Sequence, residues 1–271
     1  MRTPLPTLPA VTPTPELDPR CVPIKLTAPI PVGDECAYPA YTADEHAVWR
    51  DLFARQEQVL AGRAADEFLQ GLATLNLDRE KIPALADVSR KLRAATGWQV
   101  ARTPGLLDAH DFFSHLARRV FPCTDYIRSR GELDYTPAPD CFHDIFGHTP
   151  MIMHSRFADF YQRIGQAAVA CADPAVEEGL TRIYWFTVEF GLIRNPDGLR
   201  IYGNGIISSY GETLHSLTDQ VAKRPFVATE TAAQPYDIWH FQDTLFAVDS
   251  FDQLAAAFDA WADRHVYHRS R

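Results

Sequence analysis

Cysteine is scarce in this chain, with five residues at Cys21, Cys36, Cys123, Cys141 and Cys171. The number is odd and no C-x-x-C pair occurs, which argues against a disulfide framework and for a reducing compartment. Long apolar runs are missing: no stretch approaches the ~20 residues of a membrane-spanning helix. Met1 to Ala10 carries prolines where a secretory leader needs a continuous apolar core. A cytoplasmic protein is therefore expected, with no membrane partner. Runs of Lys and Arg are lacking and the formal net charge is −9, so nucleic acid is not an expected partner either. There is no P-loop and no G-x-S-x-G elbow, and Gly203-Asn204-Gly205 lacks the third glycine of a dinucleotide fingerprint.

What is present is enough for a sizeable core. The chain has 271 residues, 46% of them hydrophobic. Ten of its 20 prolines fall within residues 1–40, where they exclude regular helix and central strand. Residues 1–40 read as a proline-rich arm, mobile at its start, with Ile24 to Ile30 apolar enough to pack on the body. Residues 41–271 read as one domain. Thr42 with Glu45 forms a capping box for a helix to about Arg63. Helices are predicted over Ala64 to Leu75, over Pro83 to Thr96 (stopped by Gly97), from an Asp108 cap to Arg118, and over Phe157 to Ala172, Val176 to Ile193, Ser208 to Val221 and Asp252 to Arg264. Strand signals are short: Gln99 to Ala101, Arg200 to Tyr202, Phe226 to Thr229 and Leu245 to Val248. The predicted fold class is mainly α, a single domain with a few short strands.

Glu189 interrupts the aromatic and β-branched run Tyr184-Trp185-Phe186-Thr187-Val188-Glu189-Phe190-Gly191. A carboxylate in apolar surroundings needs a cation or donors opposite it. Upstream, Cys141-Phe142-His143-Asp144-Ile145-Phe146-Gly147-His148 offers two imidazoles. Two histidines and one carboxylate are the ligand set of non-heme iron(II) oxygenases, and these three residues read as one metal site. The spacing has alternatives. Residues five apart lie about 140° apart on an α-helix, so the chain must bend for His143 and His148 to converge; Gly147 and Pro150 are placed to do that. Two surface histidines are the plainer reading, as is an ion pair of Glu189 with Arg182. Asp140 and Asp144 beside the pair fit carboxylates that orient a ligating imidazole, or a helix cap at Asp140.

Several long motifs then coincide. Tyr135-Thr136-Pro137-Ala138-Pro139-Asp140 leads into His143-Asp144-Ile145-Phe146-Gly147-His148-Thr149-Pro150. Ile183 to Gly191 and Tyr202-Gly203-Asn204-Gly205-Ile206-Ile207-Ser208-Ser209-Tyr210-Gly211-Glu212 follow in order. The chain thereby resembles the pterin-dependent aromatic amino acid hydroxylases over roughly residues 40–262, most strongly from Arg118 to Glu212. The resemblance implies their catalytic-domain fold for 41–271. It implies Fe(II) on His143, His148 and Glu189, a tetrahydropterin cosubstrate and O2. It assigns Arg128 to the substrate carboxylate, where a planar guanidinium suits a forked grip; a structural ion pair is the alternative. Thr136, Trp185 and Ser208 match substrate-pocket positions. Gly105, Leu106, Leu107 and Phe112 match the pterin segment, Phe112 otherwise being plain core. Tyr184 matches a cofactor-side position and Glu212, with Asp140 and Asp144, the surrounding polar shell.

There are departures from the family pattern. Asp144 stands where animal members carry glutamate, and Pro122 replaces a histidine. Residues 1–40 are too few for the animal regulatory domain and the chain ends soon after its last helix, so a monomer is expected. Phenylalanine is the first expectation for the ring hydroxylated, since Trp185 matches the phenylalanine and tyrosine enzymes. Ile238 falls where tyrosine enzymes carry an acid, and an apolar residue suits a ring without a hydroxyl. Tyrosine and tryptophan are the alternatives within the family, and a zinc hydrolase with the same ligands is the alternative outside it.

Overall fold

A computed structural model of the chain describes residues 18–134, 136, 138–238 and 240–267; the start of the proline-rich arm lies outside them. Helix α1 (Ala43–Leu60) begins at the expected capping box: the Thr42 hydroxyl accepts the Glu45 N–H and the Glu45 carboxylate accepts the Thr42 N–H. Helix α2 (Asp66–Leu75) ends at Asn76 and α3 (Leu85–Thr96) at Gly97, both left-handed at φ 44° and 76°. Strand β1 (Gln99–Thr103) pairs in parallel with β2 (Val120–Thr124), and the Asp108-capped α4 (Ala109–Leu116) makes the crossover. Strand β2 carries no sequence signal, because Pro122 falls in its middle. Its tolerance is positional: the strand pairs with β1 alone.

Short α5 (Thr149–Ile152) leads to α6 (Ser155–Ala170) and α7 (Pro174–Tyr184). The helix expected to run to Ile193 stops sooner. Residues 191–195 form β3 (Gly191–Asn195), which turns back into β4 (Gly198–Ile201). The reason was legible: Asn195-Pro196-Asp197-Gly198 is turn chemistry, and Gly198 takes φ 123°. After α8 (Asn204–Ile207) the chain breaks at Ser209, which caps α9 (Tyr210–His215); of the helix predicted from Ser208 to Val221 only these six residues are helical, and α8 precedes it. Strand β5 (Ala222–Pro225) precedes α10 (Ala228–Ala233), correcting the strand predicted over 226–229. Strand β6 (Thr244–Val248) and α11 (Phe251–Ala262) close the fold. The sheet order is β4-β3-β6-β5, antiparallel at β3–β4 and parallel elsewhere, which leaves β5 at one edge.

The core is aromatic. Phe142 stacks on Phe146 at 4.8 Å, and Trp49, Phe53 and Phe68 meet that pair edge-on. A second group, Phe157, Phe160, Tyr202, Phe251 and Phe258, packs α6 against α11. The later part of the arm lies on this body: Ile24 N–H donates to Leu106 C=O at 2.8 Å, and Arg102 N–H to Pro31 C=O at 2.9 Å. Gly191 lets two backbones meet behind Glu189, because a Cβ there would lie 2.2 Å from Tyr202 Cζ and 2.3 Å from the Thr187 carbonyl. Gly191→Ala is expected to lower stability by about 1–3 kcal/mol through this overlap. An unchanged denaturation midpoint would show that the contact yields freely.

Candidate metal centre

His143 and His148 belong to one wide, π-helical turn, His143–His148, rather than to an α-helix bent at Gly147. A π turn closes between residues five apart, so side chains at i and i+5 lie one above the other. The two imidazoles are 4.7 Å apart, nearly perpendicular, with their Nε2 atoms at 3.0 Å. Gly147 has another purpose. A Cβ there would stand 3.0 Å from the Asn204 carbonyl, so glycine lets α8 approach the histidine turn.

Glu189 ends a second π turn, Trp185–Glu189, closed by Phe190 N–H donating to Trp185 C=O at 2.8 Å. It meets the histidines, not Arg182, which pairs with Glu178 instead. Its oxygens lie 3.3 Å from His148 Nε2 and 3.7 Å from His143 Nε2. One donor atom from each of the three residues falls within 4.8 Å of the others, which is the spread one ion spans. Tyr184, five residues before Glu189, also helps hold that carboxyl low.

The backs of both rings are held. His143 Nδ1 is 2.8 Å from Ser208 Oγ, and that hydroxyl donates to the Asn204 carbonyl at 2.9 Å. With its one hydrogen committed, Ser208 accepts from Nδ1–H, leaving His143 Nε2 bare for a metal. His148 Nδ1 is 2.6 Å from Tyr161 Oη. Burial, and then the neighbouring His148, push His143 down to about 4, so it is neutral at physiological pH. Burial alone would raise the Glu189 carboxyl; the imidazoles and Tyr184 outweigh it and hold the group near 2. Two neutral imidazoles and one carboxylate are what a ferrous or zinc ion needs as ligands, so the residues fit the ion the sequence implies.

Arg128 and Asp140 form a buried pair, 5% and 0% exposed. Arg128 Nε and Nη2 both donate to the carboxylate at 2.8 Å, and the Arg128 N–H adds a third bond at 2.9 Å. The forked edge predicted for a substrate is thus spent inside the protein; what remains is the Nη1–Nη2 end. Asp140 also accepts the His143 N–H at 3.0 Å and touches no imidazole, so it caps the histidine turn rather than orienting a ring. Asp144 accepts the Thr124 N–H and hydroxyl at 2.8 Å each, and burial raises its carboxyl to about 7.

The remaining positions divide. Phe112 is half-buried and meets Phe113, Phe121 and Tyr184 edge-on at 5.5–6.2 Å. Gly105 and Leu106 line a cavity of about 670 Å3 with Ile24, Tyr126, Ile127 and Arg128. The Leu106 carbonyl is taken by Ile24, while among the described residues Leu106 N–H and both backbone groups of Leu107 have no backbone partner. Trp185 is sandwiched between Phe190 at 4.6 Å and Tyr236 at 4.4 Å, so only its ring edge is open. Ser208, expected to face substrate, stands on His143. Thr136 bonds the Ala138 carbonyl at 3.1 Å, between two residues outside the described set. Ile238 is 47% exposed, too open to form the apolar wall expected of it. Glu212 is buried with Oε2 unpartnered, and burial raises it to about 8. Tyr161 and Asn204 went unremarked in the sequence, because one sits on a core-facing helix stripe and the other in a motif otherwise read for its glycines.

Asp140→Asn should destabilise the fold by about 3–5 kcal/mol, since it strands a buried guanidinium; a loss under about 1 kcal/mol in urea unfolding would contradict this pairing. Glu212 holds a proton between its ordinary 4.5 and about 8 that the unfolded chain gives up, so its contribution falls as pH rises through that window. Glu212→Gln, which mimics the neutral acid, should therefore raise the melting temperature more at pH 8 than at pH 5. Parallel curves for the two proteins would refute the shift.

Comparison with known proteins places this geometry. Residues 24–269 match the family described as biopterin-dependent aromatic amino acid hydroxylase. Phenylalanine-4-hydroxylase of Ralstonia nicotianae is 48% identical over 221 residues, 81% of this chain and 70% of that one. Tyrosine 3-monooxygenase of Rattus norvegicus is 39% identical over 86% of this chain and 47% of its own length. The crystal structure of Chromobacterium violaceum phenylalanine hydroxylase with bound iron(III) and 7,8-dihydrobiopterin superposes with a TM-score of 0.80 at 41% identity, covering 84% of each chain. With the family matched over nearly all of the described residues and the three donor side chains converging, the chain belongs to the biopterin-dependent aromatic amino acid hydroxylases.

Proposed function

We propose that the chain hydroxylates L-phenylalanine to L-tyrosine, using O2 and a tetrahydropterin at one Fe(II) held by His143, His148 and Glu189. The observation that carries the reading is the meeting of those three donor atoms within 4.8 Å. Its support from relatives is that those 48% and 44% identical are named phenylalanine-4-hydroxylases, whereas those named for tyrosine are 38–39% identical. Iron and a reduced pterin, when bound, supply the activation of O2, which no side chain can perform.

The protein's own part is binding, orientation and dryness. Glu189 brings one negative charge to the ion, and the two rings bring none, so net positive charge and open positions remain. Three edge-on rings fix the plane of Phe112, as stacking on a flat pterin requires. The unpaired backbone groups at Leu106 and Leu107 suit the polar edge of that ring system. Arg128 lines the cavity beside Gly105 and Leu106, and its free guanidinium end takes the amino-acid carboxylate in this reading. Asp140 keeps that guanidinium aimed. Phe121 and Tyr161, both nearly inaccessible and packed against the His148 ring, keep water from the back of that ligand. The same proposal places a monomer in the cytoplasm; no helix of the described residues is long and apolar enough to cross a membrane.

Supplied with Fe(II), tetrahydropterin and O2, the protein should convert phenylalanine to tyrosine and be inert with zinc. Iron bound with no aromatic amino acid hydroxylated would end the reading. Glu189→Ala should abolish tight iron binding. Arg128→Lys should raise the KM for phenylalanine about 10–100-fold by loss of charged hydrogen bonds; an unchanged KM removes Arg128 from substrate binding.

A further inference from the structure

We infer that Tyr161 and Asn204 position the metal ligand His148 by fixing which of its ring nitrogens carries the proton. This rests on the ligand assignment just proposed. Nε2 of His148 can bind a metal only when bare of hydrogen, so Nδ1 must carry the proton and donate it. Nδ1 has two neighbours, Tyr161 Oη at 2.6 Å and Asn204 Nδ2 at 3.2 Å. Tyr161 must therefore accept from the ring, and its own hydroxyl hydrogen must go elsewhere.

The other group against Tyr161 Oη is the Asn204 amide, 2.6 Å away through Nδ2. With Nδ2 there, the hydroxyl oxygen faces a second donor, and Asn204 Oδ1 lies buried with no donor at all. A half-turn of the amide exchanges two atoms of nearly equal size and resolves the conflict. Oδ1 then accepts the Tyr161 hydroxyl hydrogen and stands at the longer distance from Nδ1–H. The result is a chain, His148 Nδ1–H to Tyr161 Oη–H to Asn204 Oδ1, in which the ring and the phenol each donate to an acceptor.

The setting makes the chain exclusive. Tyr161 and Asn204 are 0% exposed, so solvent does not compete for these bonds. Trp98 and Phe157 press edge-on against the Tyr161 ring at 5.7 and 5.1 Å, fixing where its hydroxyl sits. Asn204 also serves the other histidine, because its backbone carbonyl takes the Ser208 hydroxyl that stands on His143 Nδ1. One residue at the start of α8 thus backs both imidazoles, through its side chain for one and its main chain for the other.

Cobalt(II) is a suitable probe, because its ligand-field spectrum reports the ligand set directly. Wild-type protein should bind one Co(II). Tyr161→Phe keeps the ring and loses the hydroxyl; its Co(II) affinity should fall about 10–100-fold, the usual loss when the partner of a ligating histidine is removed. Asn204→Ala should fall similarly. The double variant should bind no more weakly than the poorer single, since one chain is already broken. Asn204→Asp, which keeps the acceptor, should recover most of the affinity. A residue needed only for packing would lower the melting temperature and leave Co(II) affinity and spectrum unchanged; that result in either single variant, or additive losses in the double, overturns the inference. Should Tyr161→Phe not fold, Asn204→Ala and Asn204→Asp decide alone. Wild-type protein that binds neither Co(II) nor Fe(II) would instead refute the ligand assignment itself.

Discussion

Everything at this site depends on two stretches of helix wound one residue wider than α. His143 and His148 would point about 140° apart in an α-helix, and Tyr184 would miss Glu189 by the same angle. The wider turn aligns residues five apart, so the first stretch delivers two imidazoles together, and the second ends on the carboxylate that meets them. A π turn is less favourable than α and persists only where surroundings hold it. Here the holders are visible. Asp140 caps the first turn, Thr149 donates its hydroxyl to the Ile145 carbonyl, and α8 packs onto Gly147. Gly191 and Gly203 let the second turn end abruptly against the Tyr202 segment.

The polar groups of the site are buried, so each is affordable only while partnered. The Arg128–Asp140 pair illustrates the consequence. Asp140 receives two guanidinium bonds, the Arg128 amide and the His143 amide, and so ties the substrate-side cation and the first metal ligand to one carboxylate. Under the proposed function, substrate recognition and ligand placement are coupled through that side chain. Arg128 is thus both the structural ion pair and the candidate carboxylate binder that the sequence allowed as alternatives, because a guanidinium has two edges to offer.

Much of this was readable beforehand, and the reasons differ by element. Caps at Thr42 and Asp108 and the stop at Gly97 carry local chemistry, and the helices begin and end there within a few residues. Glu189 was legible because an acid among Trp185, Phe186 and Phe190 demands compensation. The convergence of the histidines was not, since spacing is interpreted through an assumed α pitch. Gly191 to Asn195 has residues that suit helix or strand, and pairing with Ile201 and Val248, distant in sequence, decides between them. Strand β2 was hidden by Pro122. The roles of Tyr161 and Asn204 depend wholly on what lies across the core, which no local pattern encodes.

Strand β5 has a consequence beyond the site. It ends the larger sheet with Ala222-Lys223-Arg224-Pro225, and among the described residues its outer side has no neighbouring strand. An open edge of unpaired backbone groups is a template on which another polypeptide can add itself. Here an incoming strand would meet Lys223 and Arg224, held by the Thr218 carbonyl and by Glu230, and a proline nitrogen with no hydrogen to give. The same four residues that anchor β6 within the fold thus make the sheet a poor seed for fibrous growth, and the protection is written into the chain at its least ornamented strand.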